Sequence, residues 1–433
     1  MPPAQPDADG SGNDTGRKAG KSRIRAALKK RAGAAAPPVP AAPDRPAIDI
    51  ALLLLFLCFG YFVRMALFTG MVWSDDYDYA QLAVMILEGR YNPVDVGAFN
   101  LYAWRFVMIY PLAFFFKLFG STSEGVAVLW PLLSSLGTSV LLYAIGRKLF
   151  DSKAGLVAAA LHLLYPSDIL FSTSVLTETP FNLVIALSVL LFVYGEEEKR
   201  WWMKLPLFFL SGAPLALLLY GRPYGVLVLG AYAVFMVMRY FINLRYLAIV
   251  AGFAAGVFLI EYLVHAETGR WFENFAVMKR MLDPYFCPTS NISSHLDYYR
   301  RSLFNSRMHH PHFYIFVIGA GVLFSWARFG GKVSPEEEKR RRQNGFLVLF
   351  WLASILLYIE FGFMNLDHMT LMHKMERYLT IVSAPISLGA AAFLARFANR
   401  YSLALTAAMF IAVACWWYLR IMPPEAQGML FPF

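Results

Sequence analysis

The chain has 433 residues, 58% of them hydrophobic and only 16% charged, with a mean hydropathy of +0.49. A soluble domain is nearer half apolar and a quarter charged, so this balance excludes a soluble globular protein and points to a chain solvated mainly by lipid. In a soluble protein the formal net charge of +10 would suggest nucleic acid. In a membrane chain it holds cytoplasmic loops in place, and no nucleic-acid partner is expected. Cys58, Cys287 and Cys415 are too scattered for a disulfide framework or a CxxC metal pair.

Residues 1–46 are rich in Pro, Ala and Gly, carry nine Lys or Arg and contain no aromatic residue, which predicts a disordered basic cytoplasmic tail. The apolar run from Ile50 to Val72 is too long for a signal-peptide core and predicts an uncleaved first transmembrane helix with its N-terminus inside. Arg64 falls near the outer end of that run, where it is expected to snorkel or to meet a phosphate. Further helices are expected near 126–146, 154–172, 178–194, 205–221, 223–238, 246–265, 313–328, 346–363, 378–396 and 402–418, making eleven in all. The loops this topology places inside are short and hold 16 Lys or Arg, against 13 spread over the much longer outside segments. That asymmetry obeys the positive-inside rule.

The fold class read from this pattern is an all-α polytopic membrane protein of about 11 transmembrane helices, with a membrane domain over 47–433. Three segments fall outside: 73–125, 266–312 and 364–377. The first contains two weakly amphipathic stretches, around Ala80–Leu87 and Tyr102–Phe119, expected to lie in the membrane interface. The charged run Glu336–Arg342 reads as a solvated cytoplasmic loop.

Four clusters carry residue types suited to chemistry. Trp73-Ser74-Asp75-Asp76-Tyr77-Asp78-Tyr79 puts three carboxylates within four residues at the outer surface, a pattern suited to accepting a proton but equally to capping a helix N-terminus. Thr177-Glu178-Thr179-Pro180 is good helix-opening chemistry and places a second carboxylate on the same side. Gly221-Arg222-Pro223-Tyr224-Gly225 and His373-Lys374-Met375-Glu376-Arg377-Tyr378 supply cations that suit an anionic ligand or anchor at headgroup level. His309, His310 and His312 lack a helical metal-binding register, and no P-loop, GxSxG elbow or GxGxxG follows a strand.

Taken in order, these motifs resemble the GT-C class of polyprenyl-phosphate-sugar glycosyltransferases, nearest the protein mannosyltransferase and aminoarabinose transferase group. The resemblance runs through Asp75-Asp76…Tyr79-Ala80, Leu87-Glu88-Gly89, Tyr110-Pro111-Leu112…Lys117-Leu118-Phe119-Gly120, Gly146-Arg147-Lys148-Leu149-Phe150, Tyr165-Pro166…Thr177-Glu178 and Arg377-Tyr378-Leu379…Ala384-Pro385. The family's first acidic pair is often Asp-Glu, whereas this chain has Asp75-Asp76.

The resemblance implies an enzyme at the periplasmic or lumenal side that takes a sugar from undecaprenyl or dolichyl phosphate and transfers it, with inversion, to a lipid, glycan or protein acceptor. Asp75 or Asp76 would be the base, and Glu178 would complete the acidic site or hold a divalent cation. Arg64, Tyr79, Arg222, Lys374, Arg377 and Tyr378 would bind substrate. A multi-pass protein of the bacterial inner membrane is the expected setting, surrounded by membrane lipids.

The rival readings are a flippase or transporter of lipid-linked sugars, and a transferase of the O-antigen-ligase type. A transporter calls for ionisable groups near the bilayer midplane; Glu261 and Glu360 come nearest. A ligase would work through Arg300, Arg301 and Arg307 of the large outside loop.

Overall fold

A 21-residue apolar helix from Pro46 to Ala66 sets the scale of the fold: at 1.5 Å per residue it is about 31 Å long, the thickness of a bilayer's hydrocarbon core. The computed structural model describes residues 46–72, 74–94, 100–222, 224–240, 244–273, 286–287, 297–305, 312–318, 335–361, 364–365, 370–372 and 376–395. The predicted tail and the helix expected near 402–418 lie outside the described residues, as does most of the helix expected near 313–328.

In chain order the helices are α1 (Pro46–Ala66), α2 (Ser74–Leu87), α3 (Asn100–Ala103), α4 (Phe106–Phe119), α5 (Glu124–Ala127), α6 (Leu129–Leu149), α7 (Ser152–Leu163) and α8 (Pro166–Phe171). They continue with α9 (Glu178–Glu197), α10 (Trp201–Gly221), α11 (Tyr224–Tyr240), α12 (Leu247–Thr268), α13 (Pro335–Phe361) and α14 (Ser383–Leu394). Among the described residues seven helices are long and apolar enough to cross a membrane, and α4, α7 and α11 are shorter apolar helices. The fold is a polytopic helical membrane protein, as its composition requires. A small antiparallel ribbon adds to it: β3 (Thr370–Met372) pairs on one edge with β1 (Phe286–Cys287) and on the other with β2 (Met364–Asn365). It joins the segments 266–312 and 364–377.

Helix boundaries shift by several residues, α1 for one ending at Ala66 rather than Val72, and two expectations are overturned. The helix predicted over 154–172 is two helices, because Pro166 has no N–H to continue the ladder and holds Tyr165 extended (φ −73°, ψ 119°). The run Glu336–Arg342 is not a loop but the first turns of α13. Pro335 suits a first helical position, and Glu, Lys and Arg are good helix formers. Ion pairs then hold this start down, Arg341 to Asp151 at 3.4 Å and Arg340 to Glu197 at 3.7 Å.

Packing follows small residues where helices meet most closely. A Cβ on Gly155 would lie 2.4 Å from the Tyr143 carbonyl oxygen, so only glycine lets α7 lie this close to α6. One large apolar core runs through α6, α7, α9 to α11, α13 and α14. A second gathers α2 and α4, with Trp104 and Tyr220, on the side of the molecule where Asp75 sits.

Candidate active site

The site forms where the ends of α2, α9 and α10 meet the 3-10 turn Glu376–Val382. Asp75, in the first turn of α2, accepts a hydrogen bond from Arg377 Nη2 to its Oδ2 at 2.7 Å and from the Tyr102 hydroxyl to its Oδ1 at 3.1 Å. Burial raises the pKa of this carboxyl, but Arg377 and Arg105, with the Tyr102 hydrogen bond, outweigh burial and hold it below its ordinary value of 3.8. Asp78, one turn on, goes the other way: burial raises its pKa and the Asp75 charge adds to it. Asp76 is fully buried.

Glu178 opens α9 and is 1% exposed. Thr177 gives it no side-chain capping bond; its partner is Arg222, at 3.4 Å. Arg222 is itself buried at the turn between α10 and α11. That turn is tight: a Cβ on Gly221 would lie 2.7 Å from the Phe181 ring, in the turn of α9 that follows Glu178. Burial opposes the Arg222 charge, yet Glu178 and the hydroxyls of Tyr224 and Tyr378 raise its pKa above the ordinary value. The Arg222 guanidinium lies 4.2 Å from the centre of the Tyr378 ring, and that of Arg377 lies 5.6 Å from it. Tyr378 thus sits between two cations. Asn182, one turn along α9 from Glu178, donates to the Thr380 carbonyl at 3.2 Å and to Ser383 Oγ at 3.0 Å, which fixes the turn bearing Arg377 and Tyr378 against that helix.

Arg105 is the site residue that sequence reasoning passed over, having read it as part of an interfacial stretch. It interrupts the helical path between α3 and α4, donates to the Tyr79 hydroxyl and lies over the Tyr102 ring at 5.0 Å. Burial and the nearby Arg222 lower its pKa to about 10, against the pull of Asp75 and Glu178, so it remains a cation at neutral pH. An arginine inside an otherwise apolar run was the available signal. The centre therefore brings Asp75, Tyr79, Glu178, Arg222, Arg377 and Tyr378 together and adds Tyr102 and Arg105. Lys374 lies outside the described residues.

Arg64 is elsewhere. It neither snorkels nor faces this group, and it is fully buried. It donates to Asp168 at 2.6 Å, to Ser135 Oγ at 3.0 Å and to the carbonyls of Gly60 and Leu163 at 3.1 and 2.9 Å. The break at Tyr165 exposes the Leu163 carbonyl and aims Asp168 inward, so an isolated positive charge became a lock between α1 and α8. The same seam continues toward the site: Thr69 and Gly70 donate backbone N–H bonds to Thr173 at 3.0 and 3.1 Å, tying the segment that leads to Asp75 to the segment that leads to Glu178.

Glu261 is a structural group too. Buried in the C-terminal half of α12, it accepts from the Tyr220 hydroxyl at 2.9 Å and from the Phe272 N–H at 2.7 Å. It holds Phe272 in a left-handed conformation (φ 55°). The Glu360 side chain and Arg307 lie outside the described residues, while Arg300 and Arg301 are exposed and pair with Asp297 at 2.6 and 2.7 Å.

Among the described residues no three His, Cys, Asp or Glu come together as a metal site. Asp75 and Glu178 are each matched by a guanidinium group, a donor set that suits an anion better than a cation. His312 is buried and lies against Tyr165, with ring centres 4.7 Å apart; His309 and His310 are outside the described residues.

The family model for dolichyl-phosphate-mannose-protein mannosyltransferase matches residues 106–265. No curated protein matches the chain by sequence. Among solved structures it is similar to ArnT from Cupriavidus metallidurans in the apo state and bound to undecaprenyl phosphate, each with TM-score 0.59 and 16% identity over 84% of this chain. It is also similar to the oligosaccharyltransferase of Archaeoglobus fulgidus in a complex with Zn and sulfate, with TM-score 0.51 and 15% identity over 84% of this chain. The chain spans 64% and 63% of the two ArnT chains and 51% of the archaeal one. The resemblance read from the ordered motifs is borne out: the chain shares the polytopic helical fold of the ArnT structures, and the mannosyltransferase family model lies across its middle, over residues 106–265.

Proposed function

We propose that this chain is a membrane glycosyltransferase that moves a sugar from a polyprenyl phosphate to an acceptor on the extracytoplasmic side, with inversion at the anomeric carbon. The observation that carries the reading is one carboxylate, Asp75, aligned by Arg377 and Tyr102 beside the buried Arg105 and the Glu178–Arg222 pair. The ArnT fold, solved with undecaprenyl phosphate, supports it. Residues 47–433 would form the catalytic membrane domain and 1–46 a basic cytoplasmic tail, in a bacterial inner membrane.

In this reading Asp75 takes the proton of the acceptor hydroxyl as its oxygen attacks the anomeric carbon. The bond from that carbon to the phosphate oxygen breaks, and its electron pair leaves with the lipid phosphate. Arg105, Arg222 and Arg377 meet the charge that builds there, in a site where water is scarce. Glu178 keeps Arg222 charged and placed, and Tyr79 and Tyr378 hold the guanidinium planes. The acceptor is a lipid, glycan or protein bearing a hydroxyl or phosphate.

The test deletes the gene, complements with wild type or with Asp75→Asn plus Asp76→Asn, and quantifies polyprenyl-phosphate sugars by mass spectrometry. One species should accumulate in the deletion strain and persist with the acidic variant. Wild-type levels with that variant would overturn the reading.

A further inference from the structure

Asp75 and Glu178 stand in the first turns of different helices, α2 and α9, so their separation is set by whatever fixes those two starts. Arg377 and Tyr102 set how the Asp75 carboxylate points; they do not set where α2 begins. Both helices lead away from one lock. Asp75 lies eleven positions after Arg64 and Glu178 ten after Asp168, and that pair is joined at 2.6 Å.

Midway to the site the two segments are joined again. Thr69 donates its backbone N–H to Thr173 Oγ1 at 3.0 Å, and Gly70 donates its own to the Thr173 carbonyl at 3.1 Å. The Thr69 hydroxyl adds a bond to the Leu170 carbonyl at 2.9 Å. The next N–H, that of Met71, goes to the Glu124 carboxylate at the start of α5. Three successive backbone donors are thus taken up by two side chains and one carbonyl. Gly70 allows it, because its φ is +74° and a Cβ there would run into the Glu124 carboxylate. Thr173 is fully buried, whereas Glu124 is exposed.

We propose that this clasp is a positioning device for the transfer, in which Thr173 and Glu124 hold the base Asp75 in place relative to the Glu178–Arg222 pair. The inference rests on the sugar-transfer reading and deepens it. The base must meet the acceptor hydroxyl while Arg222 meets the lipid phosphate, and a misplacement of about 1 Å between such groups can cost about 10²-fold in rate. Neither clasp residue touches substrate. Loosening the clasp therefore slows transfer and leaves lipid binding, which falls to Arg105, Arg222 and Arg377, as it was.

The test complements the deletion strain with Thr173→Val, which keeps the shape and loses the Oγ1 acceptor, with Thr173→Ser, which keeps it, and with Asp75→Asn. Polyprenyl-phosphate sugars are quantified per amount of membrane-borne protein, and each purified full-length protein is assayed for undecaprenyl phosphate retention by native mass spectrometry. Thr173→Val should raise the donor pool about tenfold over wild type at unchanged lipid retention. Thr173→Ser should bring the pool back to the wild-type level. Glu124→Ala, at an exposed position, should raise the pool in the same way and Glu124→Gln should reverse it; this pair decides alone where Thr173→Val does not fold. Wild-type pools with Thr173→Val and Glu124→Ala, while Asp75→Asn accumulates donor, overturn the clasp and leave the sugar-transfer reading standing. A wild-type pool with Asp75→Asn overturns both. Lipid retention lost together with turnover in the clasp variants also overturns the proposal, because the clasp would then only support the fold.

Discussion

Arg377 donates to Asp75 at 2.7 Å across 302 positions of sequence, closing the site between α2 and the turn that leads into α14. If Asp75 is the base, Asp75→Asn keeps the shape and loses proton acceptance. Transfer should drop about 10²- to 10⁴-fold while undecaprenyl phosphate binding is retained. Turnover and lipid retention measured on the same preparation check this, and a parallel fall in both would make Asp75 a binding group.

The same contact sets the pH response. A carboxyl held below 3.8 is ionised at neutral pH. Its contribution to stability is present above 3.8 and is lost only as pH falls through the lowered value. Wild-type rate should therefore show no acid limb from Asp75 between about pH 5 and 8. In Arg377→Gln burial is opposed by Arg105 with less help, so the acid limb should move to higher pH. A pH–rate profile of the two proteins decides it, and superimposable limbs would remove Arg377 from the account.

Glu178 and Arg222 are 1% and 4% exposed, so removing one leaves the other charged and buried. Arg222→Met should cost about 3–5 kcal/mol of stability, and adding Glu178→Gln should restore much of it. Thermal unfolding in detergent reads both. A loss no larger than the ~0–1 kcal/mol of a surface pair would contradict the buried geometry.

Arg64 serves four acceptors through a planar fork, which an ammonium cannot reproduce. Arg64→Lys should lower the melting temperature, while the folded fraction keeps its affinity for undecaprenyl phosphate. Weakened lipid binding at unchanged stability would return Arg64 to the substrate-binding set.

Much of this protein is decided locally and was legible in order along the chain. Apolar runs of bilayer length must be helices, because lipid offers the backbone no hydrogen bonds. Lys and Arg in short loops orient them. Asp75, Glu178, Arg222 and Arg377 could be singled out because charge beside a membrane is costly unless paired or used. Their pairing could not. Which guanidinium faces which carboxylate depends on contacts such as Asp75–Arg377, Glu178–Arg222 and Arg64–Asp168, made between segments far apart in sequence. The same isolated arginine pattern made Arg64 a structural lock and drew Arg105 into the site. Only the tertiary arrangement separates them, because the cost of burying a charge is met by whichever acceptors the fold brings within reach.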